Sequence, residues 1–291
     1  MAASGRAEWM SIGELARRTR LTPDVLRVWE RRYGLLQPRR TAGNRRLYSR
    51  ADQARVRLMQ RYIAAGKPAA HAAEIVCATP VSIDVGDAPA VAPHEVRAAH
   101  EELRRALDGF QESSAQRVLE RLFLVHSRLA VIRDVLLPYL RAVGERWADG
   151  HLNVAQEHFT SVFLEARFMA MARGWDRGAG PRALLSCAPG ERHVFGLISF
   201  GIALHDLGWR ITYLGADIPT EMVRRAASQL EPSLITLSAV VPERFDDEGG
   251  LRALTSRWTC ALAGAGATRE RSDRVGARHL GQDPITAAGA V

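Results

Sequence analysis

From Gly174-Trp175 onward the chain switches from helical periodicity to short apolar runs, and that switch limits its possible folds more than any other feature. The runs are ALLSC (183–187), RITYLG (210–215), SLITLSAV (233–240) and TCALAG (259–264). Between them, stretches at 194–207, 220–230 and 249–257 read as helices. Short, near-continuous apolar runs suit strands covered on both faces, and a helix after each strand returns the chain to the same end of a parallel sheet. The expectation for residues 180–291 is therefore a doubly wound, Rossmann-like parallel sheet.

Upstream, residues 95–175 carry helical stripes. Val118, Leu122 and Val125 share one face, Ile132, Val135, Leu136, Tyr139 and Val143 a second, and Phe159, Val162, Phe163, Ala166 and Met169 a third. Such stripes predict a four-helix bundle. Residues 78–94, ATPVSIDVGDAPAVAPH, are rich in Pro, Ala, Gly and Asp without a helical period and read as a linker.

Residues 1–77 form a separate basic unit. The whole chain is +8, but residues 1–76 hold 16 Lys+Arg against 6 Asp+Glu, while the rest holds 24 against 26. A basic head on a near-neutral body points to a polyanionic partner for the head alone. Ser11 and Glu14 have capping-box spacing, with Ile12, Leu15 and Ala16 supplying an apolar face. Thr22-Pro23 reads as the cap and first residue of a second helix, with Val25, Val28 and Trp29 inward and Arg27, Arg31 and Arg32 outward, ending near Gly34. Two short helices across a tight turn make a helix-turn-helix candidate. Pro38, Gly43 and Asn44 then mark a turn between basic arms, the pattern of a wing, and Ser49 can cap a helix from about Ala51 to Ala65.

Composition excludes several classes. With 47% hydrophobic and 25% charged residues the chain can build ordinary cores. No apolar run approaches the roughly 18 residues of a bilayer span, and MAASGRAEWMSIGELARRTR lacks a secretory core, so the expected location is cytoplasmic, with no membrane partner. Cys77, Cys187 and Cys260 form no CxxC pair, against disulfides or structural zinc. No nucleophile–base or paired-carboxylate constellation stands out, and a catalytic barrel would not fit beside the head, so the chain is not expected to be an enzyme.

The segment IGELARRTRLTPDVLRVWERRYGLLQPRRTAGNRRLYS resembles the winged helix-turn-helix head of MerR transcription regulators, with Leu26-Arg27-Val28-Trp29-Glu30-Arg31 at the family's Leu-Arg-Tyr-Tyr-Glu-Arg pattern. The resemblance implies double-stranded operator DNA as partner. Thr22, Asp24, Arg27 and Arg31 would lie on the reading helix, and Arg39, Arg40, Arg45 and Arg46 on the wing against phosphates, with Tyr48 packing the wing on the head.

Glu191-Arg192-His193-Val194-Phe195-Gly196, directly after the first expected strand, resembles the D/E-x-H-x-x-G pattern of cobalamin (vitamin B12)-binding domains. Ser238-Ala239-Val240 and Gly264-Ala265-Gly266 approximate that family's later Ser-x-Leu and Gly-Gly marks. The resemblance implies His193 as lower cobalt ligand, Glu191 orienting it, and Gly196, Ser238, Gly264 and Gly266 around the nucleotide tail.

Trp147, followed ten residues on by Glu157-His158, is similar to the light-sensing CarH/LitR branch of cobalamin-binding MerR regulators. That likeness implies adenosylcobalamin, with Trp147 over its upper face and Glu157 and His158 beside the adenosyl group. It also implies a repressor that is a homotetramer in the dark and releases DNA on Co–C photolysis. Where that branch has an upper-ligand histidine this chain has Ala148, leaving His151, His158 or water for the light state. The alternative is a MerR-type regulator that takes cobalamin as a chemical signal or works without it.

The charge division predicts that residues 77–291 alone bind no DNA in a gel shift at salt concentrations where the full chain does.

Overall fold

Short capped helices build the N-terminal unit. A computed structural model of the chain describes residues 9–41, 45–64, 66–78, 90–177 and 180–291. Ser11 Oγ accepts the Glu14 N–H at 3.2 Å and starts α1 (Ile12–Thr19). Glu14 does not return the bond, because its carboxylate pairs with Arg17 and Arg18. Thr22 caps α2 (Pro23–Tyr33), and Gly34 ends it at φ 63°, a left-handed position that favours glycine. Leu26 and Trp29 face the core, whereas Val28, expected inward, is 40% exposed. At 100° per residue Val28 cannot share the face set by Leu26 and Trp29.

The wing is β1 (Arg39–Arg40) paired antiparallel with β2 (Arg46–Leu47); the Gly43-Asn44 turn lies outside the described residues. Ser49 caps α3 (Arg50–Ala64). Asp52, fully buried, accepts the Gln37 N–H at 2.8 Å and the Ser49 N–H at 2.9 Å, so one carboxylate ties both ends of the wing to α3. A helix that the sequence pattern did not suggest, α4 (Ala69–Ala78), follows. It claims Ala78, and α5 (Pro93–Asp108) claims Pro93 and His94, so the stretch read as a linker over 78–94 is shorter at both ends.

The bundle consists of α5, α6 (Glu112–Val125), a rod, and α9 (Val154–Met171). The rod joins α7 (Arg128–Val131) to α8 (Leu137–Ala148) through a π-helical turn at Ile132–Leu136. Pro138 accounts for that turn: in α geometry its ring would meet the Asp134 carbonyl, and a wider turn relieves the clash. Two stripes are corrected. Val125 is 73% exposed at the end of α6, and on α9 Val162 and Met169 are 67% and 39% exposed. The core side of α9 is instead Thr160, Phe163, Leu164 and Phe168.

The C-terminal unit runs β3 (Arg182–Cys187), α10 (Phe195–Asp206), β4 (Arg210–Gly215), α11 (Thr220–Leu230), β5 (Leu234–Ser238), α12 (Glu248–Thr255), β6 (Cys260–Ala263), α13 (Arg269–Val275), β7 (Arg278–His279) and α14 (Pro284–Gly289). All five strands are parallel in the order β4-β3-β5-β6-β7. The four strands expected from the sequence are present. The fifth and the helices flanking it are too short for a period to reveal. Along β3, Ala183, Leu185 and Cys187 enter the core shared with the bundle, while Leu184 enters the opposite core with Val223, Leu251 and Leu254. The bundle thus packs on one face of the sheet, through α10, and Arg128 pairs with Asp206 across that junction.

The order places a topological switch point between β3 and β5, whose carboxyl ends meet at Cys187 and Ser238. No helix of the described residues is long and apolar enough to cross a membrane.

Replacing Asp52 with Ala should leave the Gln37 and Ser49 N–H groups at the two ends of the wing without their charged acceptor and cost about 1–2 kcal/mol of stability, measurable by denaturant unfolding.

Candidate functional site

The loop leaving β3 turns on one buried carboxylate. Glu191 is 2% exposed. Its Oε1 accepts the backbone N–H of Arg192 at 2.7 Å and of His193 at 2.8 Å, and its Oε2 accepts the Val240 N–H at 2.7 Å from beyond β5. The His193 imidazole Nδ1 lies 2.5 Å from the same Oε1. Burial alone would push the Glu191 carboxyl upward. The His193 and Val240 N–H groups and the imidazole outweigh it, and the net direction is below the ordinary carboxylate value. An ionised Glu191 makes Nδ1 the protonated nitrogen, leaving Nε2 with a free lone pair. The His193 side chain is 71% exposed, so that lone pair faces open space.

Two further contacts brace the loop. Asp217, in the left-handed region at φ 54°, accepts the Gly190 N–H at 2.6 Å and donates its own N–H to the Glu191 carbonyl at 2.9 Å. Cys187, buried beneath, directs its thiol to the His193 carbonyl at 3.8 Å, and burial pushes that thiol up to about 12. It remains protonated at neutral pH.

Beside the loop, Gly196, Ser238 and Gly264 line one narrow crevice of about 40 Å³, together with Phe200, Gln282 and Pro284. At Gly264 (φ 88°) a Cβ would stand 2.3 Å from the Ala239 carbonyl, so the strand ends approach closely only with glycine there. Gly266 is apart from this lining. A Cβ on it would meet the Val241 backbone at 2.6 Å, which makes its place one of loop packing. Gln282 and Pro284 were missed by the sequence reading. Their only signal is the turn composition of Gly281-Gln282-Asp283-Pro284.

The bundle supplies a second group. Trp147 is in the last turn of α8 and is 53% exposed, and Glu157 and His158 are in the first turns of α9, across the turn that holds His151. Glu157 accepts the Ser161 hydroxyl at 2.6 Å and faces His158 Nδ1 at 2.9 Å, leaving a second imidazole Nε2 free on a side chain 73% exposed. Val154, His158, Val162 and Met169 follow one side of α9, three of them exposed apolar residues. Lower on α9, Phe168 meets Phe195 edge-on at 5.4 Å, two residues after His193. His158 lies ten residues above Phe168, roughly 15 Å along the helix. Ala148 offers no ligating atom.

These donors fit a corrinoid. A carboxylate-held imidazole with Nε2 free is the form in which histidine ligates metals. The Gly/Ser/Ala crevice admits close approach of a ligand tail, and the exposed apolar side of α9 suits a broad macrocycle.

On the head, Thr22, Asp24, Arg27 and Arg31 are exposed on α2, and Arg39, Arg40 and Arg45 on the wing. Arg27 pairs with Asp24 at 2.8 Å. Arg46 is less available for phosphate than its place on the wing suggested, because Glu30 holds its Nε at 2.9 Å. Glu30 also accepts the hydroxyl of fully buried Tyr48 at 2.7 Å, locking the wing to α2.

Glu191→Gln should destabilise the chain by about 1–3 kcal/mol. The wild-type contribution, from a carboxyl held below its ordinary value of 4.5, is complete above that pH and fades as pH falls through the lower folded value. Unfolding followed from pH 7 to pH 3 should therefore show a smaller acid-side loss in the variant.

Comparison with known proteins agrees with both halves of this description. The MerR HTH family regulatory protein model matches residues 10–78 and the B12 binding domain model matches residues 99–170, which fall on the bundle. The chain is 32% identical over 228 residues to the HTH-type transcriptional repressor CarH of Myxococcus xanthus, covering 77% of this chain and 76% of that one. It is 34% identical over 251 residues to the HTH-type transcriptional repressor CarA of the same organism, covering 84% and 83%. The monomethylamine corrinoid protein of Methanosarcina barkeri has a similar fold, with TM-score 0.53 at 19% identity, covering 67% of this chain and 97% of that chain. The chain belongs to the MerR family of transcription regulators, in the group that joins a MerR helix-turn-helix to a B12-binding domain and includes the repressors CarH and CarA.

Proposed function

We propose that this protein is a transcriptional repressor that holds adenosylcobalamin between the bundle and the sheet and releases operator DNA when light reaches the cofactor. The observation that carries the reading is the pairing of a clamped, outward His193 Nε2 at the switch point with an exposed apolar side on the bundle helix packed beside it.

His193 would hold the cobalt, with Glu191 accepting from Nδ1 and orienting the ring. Gly196, Ser238 and Gly264 would border the nucleotide tail. Trp147, Val162 and the Glu157–His158 pair would lie beside the cofactor and shield it from water. Adenosylcobalamin, when bound, supplies a Co–C bond that visible light breaks. The chain's part would be to couple that event to assembly through Trp147 and His158, which sit at the α8–α9 end of the bundle. A tetramer presents several heads to one operator, and joining weak heads raises effective affinity by about 10²–10⁴. Dissolving the tetramer frees DNA without altering α2. Regulation rather than catalysis follows from the same arrangement, and a cytoplasmic site of action suits a DNA partner.

Ala148 favours a second reading, in which cobalamin acts as a chemical signal with no stable light state. Sizing of the adenosylcobalamin-loaded chain in darkness and after green light separates the two. A fall from tetramer to smaller species supports the photoswitch, and an unchanged mass rejects it. His193→Ala should shift the cobalt absorption spectrum toward water-ligated or base-on cofactor, and an unshifted spectrum would remove His193 as ligand.

A further inference from the structure

The exposed side of α2 carries one residue that neither packing nor phosphate contact explains. Asp24, Arg27, Val28 and Arg31 stand at i, i+3, i+4 and i+7, one side of a helix, and all four are exposed. The opposite side is occupied, with Leu26 and Trp29 in the core and Glu30 holding Arg46 and Tyr48. Asp24 through Arg31 is therefore the side α2 can present to a partner. In its middle is Val28, 40% exposed, the only large hydrophobic residue so exposed on α1 or α2. Arg27, its neighbour, is held along the helix by Asp24.

We propose that Val28 is a specificity-determining residue that packs against the C5-methyl group of a thymine in the major groove. The inference rests on the DNA-binding role of the head and adds a base preference to it. In the major groove, the apolar group on a base edge is the thymine methyl; guanine, cytosine and adenine present donors and acceptors there. A β-branched side chain is stiff at χ1, so Val28 meets that methyl with little rotamer freedom to lose. The arginines on either side bring α2 to the duplex but cannot distinguish a methyl group. Val28 can.

The test uses the full chain and a duplex selected by it from a random library. Each thymine is replaced singly by deoxyuridine, which removes the methyl and leaves base pairing intact. Wild type should lose about fourfold in affinity at one thymine per half-site, the change matching ~0.8 kcal/mol for a buried methylene-sized group. V28A should bind the thymine duplex about fourfold more weakly and be indifferent to the methyl at that position. V28T, similar in shape, controls for side-chain volume, and circular dichroism verifies the fold of both variants. Equal thymine-over-uracil discrimination by wild type and V28A at every position would overturn the proposal, as would a wild type insensitive to all methyl removals. A library that yields no bound duplex would overturn the DNA-binding role and this inference with it, an outcome distinct from the other two.

Discussion

The arrangement at the sheet depends on one buried carboxylate. Glu191 takes three backbone N–H groups and an imidazole N–H, and these donors come from both sides of the β3–β5 switch point. Burying an unpaired carboxylate would be costly, and the same charge saturated with donors becomes a rigid joint. Val240 is drawn to the β3 loop, Asp217 closes over Gly190, and the imidazole is left in one tautomer with one direction. The orientation of the His193 ring, with Nδ1 on Glu191, is thus a consequence of how the loop folds.

The bundle answers that joint with apolar surface. Packing of Phe168 on Phe195 fixes α9 against the helix that follows His193, while the other side of α9 leaves Val154, Val162 and Met169 in the open. A helix that is apolar on two sides has two partners. Here one is the bundle core, and the other side stands open.

This explains which parts of the fold were legible in the sequence. Strands β3 to β6 and the capped helices of the head follow from local rules, because apolar runs, Thr22-Pro23 and Gly34 act over a few residues. What failed had a single cause: hydrophobic periodicity identifies apolar faces but not what covers them. Val28, Val125, Val162 and Met169 were all read as core and are all exposed. Three of the four, Val28, Val162 and Met169, lie on surfaces where a ligand or DNA base would supply the missing contact. Arg46 stands on the wing as expected, and its Nε is held by Glu30 sixteen residues away, a pairing that no local pattern marks. The Glu191–His193 pair was legible because the two residues are only two apart; the Val240 N–H that completes it comes from 49 residues downstream and could be known only from the fold.

The central proposal is that His193 Nε2 would hold the cobalt of a bound cobalamin. Electron paramagnetic resonance of the cobalt(II) state, in protein labelled with ¹⁵N only at histidine and loaded with unlabelled cobalamin, tests it directly. Ligation by histidine predicts that the triplet superhyperfine splitting from one axial ¹⁴N becomes the doublet of ¹⁵N. A triplet that survives labelling would mean that the cofactor's own base remains on cobalt, contradicting the account.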